Sequence, residues 1–387
     1  MIERRTVFTA GLAAGASVLV AACSSGQTGG SGQAGNTAPE PPKAKITAEP
    51  AVDAKDAPVN KPVTVKVTEG TLVEVKLTNP GGEAVPGELN AEKTAWTSSE
   101  PLGYGKSYTY AVKAAGSDNK TAELTGAFNT VKPAKEVRAT LNPADDAEVG
   151  VAMPISVKFT APVKNRAEAQ KALEVKTSKD VEGAWAWLSD RQADWRPKEF
   201  WPANTEVDVS AKLYGIDLGG GNYVKADVTT KFKIGRNQVV KINTPDHVMK
   251  VYRDDEEHAS YPCSNGKDAD PNLNTPNGTL IVMTREPVGD FSNPQYGYTN
   301  VKKKWACRIS NHGEFIHENE ENHGNIGKAN TSHGCVNLYE KDAKAYFDSA
   351  LIGDPVVITG SKASMPTTSD VLDWLLDWKT WQSKSAI

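Results

Sequence analysis

The chain has 387 residues, more than one hydrophobic core ordinarily holds, so two or three domains are expected. Its 44 basic and 48 acidic residues are interspersed and leave a net charge of −4, which offers no continuous cationic surface and argues against a nucleic-acid partner. Glycine, proline, threonine and valine are plentiful, which fits strands joined by turns, and a mainly β protein is expected.

The amino terminus carries Arg4 and Arg5 ahead of an apolar run over residues 7–20, ending in Val20-Ala21-Ala22-Cys23. The run is too short and too rich in alanine and glycine to span a bilayer, while small residues before a cysteine suit cleavage of an export signal. This ending resembles the bacterial lipobox. The resemblance implies cleavage before Cys23, lipid on its thiol, and a mature protein held at the outer face of the cell membrane, facing the wall. Residues 1–22 are read as signal peptide, with the arginine pair leaving the twin-arginine export route open. Residues 23–58 are Ser, Gly, Gln, Ala, Pro, Lys and Glu with almost no large apolar side chains, and read as a flexible linker. Such a tether reaches about 30 Å.

Residues 59–133 alternate apolar and polar with period two, at Val63, Val65 and Val67, then Val73, Val75 and Leu77, and later Tyr108, Tyr110 and Val112. Asn79-Pro80-Gly81-Gly82 breaks the run as a turn. Residues 134–236 repeat the character, with Ile155, Val157 and Phe159, then Val207, Val209 and Ala211, then Val228, Thr230, Phe232 and Ile234. Two tandem immunoglobulin-like β-sandwiches follow, named so by strand count because the Cys-Trp-Cys framework is missing, and their expected role is as spacers. Trp185, Trp187, Trp195 and Trp201 read as sandwich core or interdomain packing rather than as a carbohydrate platform.

Chemistry concentrates in residues 237–360. Ser332-His333-Gly334-Cys335-Val336-Asn337 holds a cysteine, and His317 lies 18 residues upstream at the end of an alternating run. A thiol attacks a carbonyl as thiolate and needs a base or an electropositive neighbour. His333 sits two residues away on the same segment and His317 can approach from across a sheet; local sequence leaves both open.

At these residues the chain resembles the L,D-transpeptidase catalytic domain, whose pattern is a histidine, a loop, then Ser/Thr-His-Gly-Cys-x-Asn or Cys-x-Arg. Thr275-Pro276-Asn277-Gly278 matches the family's turn between strands, and two sandwiches before the domain resemble its mycobacterial and corynebacterial members. The resemblance implies a mostly β catalytic domain with a carboxy-terminal helix, and Cys335 as nucleophile with His317 as base. It implies an orienting role for His333 and substrate contacts from Tyr298, Ser332, Gly334 and Asn337. Amides near Gly334 and Cys335 would face the developing oxyanion, Gly334 serving through close backbone approach. The implied reaction forms 3-3 cross-links between peptidoglycan stem peptides through a Cys335 thioacyl intermediate, with a tetrapeptide donor, a diamino-acid acceptor, no cofactor, and carbapenem-type inhibitors.

Of the four cysteines, one is then lipidated and one is the nucleophile, so Cys263 and Cys307 are left as candidates for a disulfide in an exported protein, the alternative being two buried thiols. The loop from Glu318 to Asn330, with Glu320, Glu321 and His323, lacks the aromatic residue of close relatives and reads as a solvated acidic surface. Within residues 361–387, the stretch from Ser369 to Trp381 places Val371, Trp374, Leu375 and Trp378 at helical spacing, and a helix packed on the catalytic domain is expected. Three other readings stay in view: a zinc site from His317, His323, His333 and Cys335, a secreted cysteine peptidase or sortase-like transferase, and an inactive wall-binding module. No metal is called for.

Overall fold

A computed structural model describes residues 42–294, 297–366 and 372–387. The expected signal peptide and Cys23 lie outside the described residues.

The first sandwich packs a sheet of Lys45–Glu49, Thr64–Thr68, Ala95–Ser98 and Gly87–Leu89 against a sheet of Gly70–Thr78, Ser107–Gly116 and Thr121–Asn129. Strand alternation builds its core: along Ser107–Gly116 every second side chain is buried, which sends Tyr108, Tyr110, Val112 and Ala114 inward onto Phe128. Lys45–Glu49 corrects the linker expectation. It pairs with Thr64–Thr68, Ile46 opposite Val67, so residues read as tether belong to the domain. One large apolar residue in five gave no strand signal; the strand forms because a partner edge supplies its hydrogen bonds.

The second sandwich joins Glu148–Val149, Val228–Ile234, Glu206–Ala211 and Leu173–Thr177 in one sheet, and Gly183–Trp187, Gln192–Pro197, Ile155–Phe159 and Ala139–Asn142 in the other. Trp185, Trp187, Trp195 and Trp201 are all buried in its core, as the packing reading expects. Trp195 lies so close over Gly183 that a Cβ there would meet the indole at 2.0 Å, which fixes glycine at that position. Tyrosines join the two sandwiches: Tyr104 donates its hydroxyl to Val224 O at 2.7 Å, and Gly215 N donates back to the same hydroxyl at 2.9 Å.

The third region holds a five-stranded sheet, in the order Glu256–Pro262, Val248–Arg253, Gln238–Asn243, Pro355–Thr359 and Gly278–Ile281. Beside it runs a four-stranded sheet of Thr284–Asn293, Tyr298–Arg308, Phe315–Glu318 and Val336–Leu338. Helix Glu340–Ser349 buries Ala343, Tyr346 and Phe347 in the same core. The region is tied to the second sandwich by main chain, Gly150 N donating to Ile352 O at 2.7 Å and Ala152 N to Gly353 O at 2.9 Å. Asp354, fully buried, ends this segment and accepts a two-pronged contact from Arg236 at 2.9 and 2.8 Å.

The tail departs from expectation twice. Its described helix is only Trp378–Gln382, capped by Asp377, which accepts from Thr380 N at 2.9 Å, and residues 372–377 form turns. Its main support is the second sandwich: Trp374 Nε1 donates to Ala152 O and Trp381 Nε1 to Ala184 O. The Arg196 guanidinium lies 4.6, 5.2 and 4.8 Å from the rings of Trp374, Trp378 and Trp381. Met365 and Leu375 pack on the catalytic core. Three indoles can close around one cation only where that cation sits, and the helical spacing of the sequence cannot reveal it.

Candidate active site

Two parallel strands bring the chemistry together. Phe315–Glu318 and Val336–Leu338 pair with His317 opposite Asn337. Paired residues of a sheet point to the same face, and Cys335, two residues before Asn337, shares that face by alternation. Two residues 18 positions apart in the chain thus meet on one patch. Cys335, His317 and Asn337 line a cavity of about 330 Å³, with Ser332, His333 and Phe291 also on its wall.

The base is fixed by main chain. His317 is buried, and its Nδ1 donates to Glu318 O at 2.5 Å, so Nε2 is the ring nitrogen left to take a proton. Desolvation lowers its pKa to about 4, helped by the charge of Lys303 and opposed by the Glu318 carbonyl. The Phe291 ring lies 4.9 Å from the imidazole, centroid to centroid.

Cys335 is half-buried and packs beside Phe291 and Phe315. Its thiol donates to Gly313 O at 3.4 Å. Burial pushes this thiol up to about 12; the Phe315 amide and Arg308 pull it back, and Glu314 adds to the rise. With the thiol near 12 and the imidazole near 4, both are neutral at pH 7 in the free site. Such a site holds no standing thiolate, and the proton must leave sulfur as the carbon–sulfur bond forms.

The turn carrying the nucleophile is tied from within. Ser332 Oγ donates to Cys335 O at 2.6 Å and accepts from Gly334 N at 3.2 Å. The Ser332 hydroxyl and the Gly334 amide are thus engaged within the turn, while Ser332 also lines the cavity. Gly334 has φ +116°, where L side chains are strained, while a Cβ there would meet nothing nearer than 3.7 Å. Within the protein, backbone conformation is the ground on which glycine is required here. The expected turn motif supplies the anchor: Thr275 Oγ1 donates to Gly334 O at 2.8 Å and accepts from Gly266 N at 2.8 Å.

Among the remaining expected residues, His333 is exposed on the cavity wall. Asn337 is buried, its backbone is bonded to Ser264, and its Oδ1 has no hydrogen-bond partner among the described residues. Tyr298 opens its strand, but its side chain lies outside the described residues. Cys263 and Cys307 are unpaired, which corrects the disulfide expectation. Both pack as small apolar groups in the catalytic core, and burial pushes each thiol up to about 12.

The loop after the base is less solvated than its charges suggest. Glu318 is buried, its carboxylate accepting from Lys304 N at 3.0 Å and Glu320 N at 3.2 Å. His323 meets Tyr339 edge-on and is not part of the cavity wall. Sequence reading also missed Asn330, whose Oδ1 accepts from Asn265 N at 2.9 Å and whose Nδ2 donates to Thr244 O at 2.9 Å. It pins the loop two residues before Ser332. No local pattern marks it, since its partners come from residues 244 to 268.

The L,D-transpeptidase catalytic domain family matches residues 237–358, and the bacterial Ig domain family matches residues 54–217. The chain is 41% identical over 354 residues to L,D-transpeptidase 5 of Mycobacterium tuberculosis, covering 90% of this chain and 78% of that one. It is 34% identical over 353 residues to L,D-transpeptidase 2 of the same species, covering 88% of this chain and 85% of the relative. Among solved structures, LD transpeptidase LdtMt1 in complex with imipenem is similar, with a TM-score of 0.50 and 28% identity, over 59% of this chain and all of that one.

Proposed function

The chain belongs to the L,D-transpeptidase family, and on that premise we propose that Cys335 and His317 carry its reaction as nucleophile and base. The enzyme is an acyltransferase that cross-links peptidoglycan stem peptides. The observation that carries the assignment of residues is the register of His317 with Asn337, which sets base and thiol on one cavity, with the base already oriented by Glu318 O.

The thiol proton passes to His317 Nε2 as sulfur adds to the donor amide carbonyl. The carbon–nitrogen bond then breaks, the departing D-residue takes that proton on its amine, and a thioester remains on Cys335. An acceptor amine adds to the thioester, gives its proton to His317, and expels sulfur, which recovers the proton. With Gly334 N committed to the turn, the Cys335 amide is the donor for the oxyanion. His333 contributes orientation from the cavity wall, and Asn337 Oδ1 is a buried acceptor facing the substrate. Carbapenems, of which imipenem is bound in a similar structure, acylate the same thiol.

We also infer export and a lipid anchor at Cys23; the paired arginines, the apolar run and the Ala-Ala-Cys ending support this reading. Intact mass after incubation with a tetrapeptide donor tests the mechanism. A thioacyl adduct forms on the wild type and not on Cys335→Ala, and His317→Ala slows it far more than His333→Ala. Wild-type turnover by Cys335→Ala, or a milder loss in His317→Ala than in His333→Ala, overturns the assignment. Loss of a metabolically incorporated fatty acid in Cys23→Ala tests the anchor.

A further inference from the structure

The strand Gln192–Pro197 sends Ala193 and Trp195 into the core of the second sandwich, and alternation turns Gln192, Asp194 and Arg196 the other way. By its side chains that face should be solvated. It is covered instead: Asp194 is 2% exposed, and Asp373 of the tail, 6% exposed, lies against it. The two carboxyl groups are hydrogen-bonded to each other. An ionised carboxylate can only accept, so that bond exists only while one of the pair carries a proton. Gln192 Nε2 donates to both oxygens of Asp194, at 3.0 and 2.9 Å, whereas Asp373 Oδ1 meets no donor among the described residues. Asp194 is thus the supported anion and Asp373 the holder of the proton.

The nearby cations do not replace that proton. Arg196 commits Nη1 to Pro197 O and Lys198 O and Nη2 to Leu376 O, and its Nε meets no acceptor. Its charge acts on Asp373 through space and is also felt by Glu199 and Asp377. Lys158, whose charge acts on Asp194, is exposed. A cavity of about 240 Å³ borders the pair, and its catalytic wall, Ile281, Val282, Met283, Asn311 and Ile352, brings no titratable side chain. Burial foremost, and the neighbouring acid next, raise the Asp373 carboxyl well above the usual carboxylate range.

The segment that Asp373 fastens reaches the nucleophile turn. Leu375, two residues on, lies so close to Gly278 that a Cβ there would meet its Cδ2 at 2.4 Å. Asn277 donates from N to Ala363 O at 2.9 Å and from Nδ2 to Ser361 O at 2.6 Å, both ahead of the tail. Thr275, in the same four-residue motif, anchors Gly334 O.

We propose that Asp194 and Asp373 share one proton and form a pH-dependent latch, which docks the tail in acid and frees it as pH rises, loosening the anchor of the nucleophile turn. Release of the tail hydrates Asp373 and returns it toward its ordinary value of 3.8. The docked acid is the weaker one, so docking is strongest below that value and is lost as pH rises through the docked one. Within that window the docking equilibrium falls about tenfold per pH unit.

Hydrogen exchange of the full-length enzyme, read by mass spectrometry and corrected for intrinsic rates with the unfolded chain, tests the latch without reference to the reaction. In the wild type, protection of residues 372–387 falls by about tenfold or more between pH 5 and pH 9, while that of the first sandwich holds. In Asp373→Asn, whose amide donates to Asp194 at every pH, tail protection stays level; Asp194→Asn gives the same result should the first variant fold poorly. Carbapenem acylation, which rests on the transpeptidase reading, is the second readout. The ratio of the wild-type rate to that of Asp373→Asn falls over the same range, and the titrations of His317 and Cys335 cancel in it. Equal tail protection at both ends in the wild type, or the same decline in Asp373→Asn, overturns the proposal. So does a tail that loosens while the rate ratio stays level. A wild type that is never acylated overturns the transpeptidase reading, and the exchange result then decides the latch alone.

Discussion

Thr275→Val isolates the anchor of the nucleophile turn. Valine keeps the volume and β-branching of threonine but removes the Oγ1 that donates to Gly334 O and accepts from Gly266 N, both at 2.8 Å, at a site 1% exposed. Two buried main-chain groups then lack partners, at about 1–3 kcal/mol each, so a loss of about 2–4 kcal/mol is expected after partial relaxation. Thr275→Ser keeps both bonds and removes one methyl, a loss of about 1 kcal/mol. Because Gly334 holds the turn at positive φ, freeing its carbonyl also misplaces Cys335, and acylation by a carbapenem slows by about tenfold or more. Urea unfolding, followed by a probe in the catalytic domain, reads the first effect and stopped-flow acylation the second. A Thr275→Val enzyme within 0.5 kcal/mol of wild type (about the scatter of ordinary surface substitutions) that acylates at the wild-type rate would refute the reasoning. So would equal damage in Thr275→Ser.

His317 titrates near 4 in the folded chain against an ordinary 6.5, so as pH falls the unfolded chain takes up the proton first. The stability owed to the neutral imidazole is complete above pH 6.5 and is lost as pH drops toward 4, by up to about 3 kcal/mol. His317→Gln should flatten that part of the stability curve; identical slopes in both proteins contradict the assignment. Cys263 and Cys307, with thiols pushed up to about 12, should resist alkylation until the chain unfolds. A linked 263/307 peptide in non-reducing mapping would contradict the structure.

Legibility followed the range of the interactions. The Cys335 turn and the His317 strand were legible as a local motif and a period-two run, the choice of base coming only from the resemblance, and strands such as Ser107–Gly116, Ile155–Phe159 and Val228–Ile234 were legible from alternation. The strand Lys45–Glu49 was not, since it carries few apolar side chains and is held largely by hydrogen bonds to a strand farther along, from Glu49 opposite Thr64 to Lys45 opposite Thr68, with Ile46 and Ala48 packed on the core. Glu318 was read as solvated, as isolated acidic residues usually are. Glu318 is instead buried on two amides, and Asp373, marked by no sequence signal, is buried next to Asp194, where desolvation first and that neighbour second push its carboxyl well above the usual carboxylate range. Lys303 shows the same limit: alternation separates it from Lys302 and Lys304, but only the sheet decides which side faces the cavity. The turn's glycine was found from the motif, but its positive φ was not, because φ is not written in a residue name.

The orientation of His317 by the main-chain oxygen of residue 318 bears on how this enzyme can change over generations. In sites where an Asp or Asn side chain holds the histidine, one codon change can disarm the base. Here every residue type at 318 presents the same carbonyl, so the tautomer is inherited with the strand and drift at that position leaves it intact. The side chain is thereby released for other employment, and in this lineage it has become the buried carboxylate that fastens Lys304 N and Glu320 N. Variation at 318 should accordingly register as altered loop order and not as lost nucleophile activation, which makes that position a poor route to inactivation and an open one for reshaping the rim of the cavity.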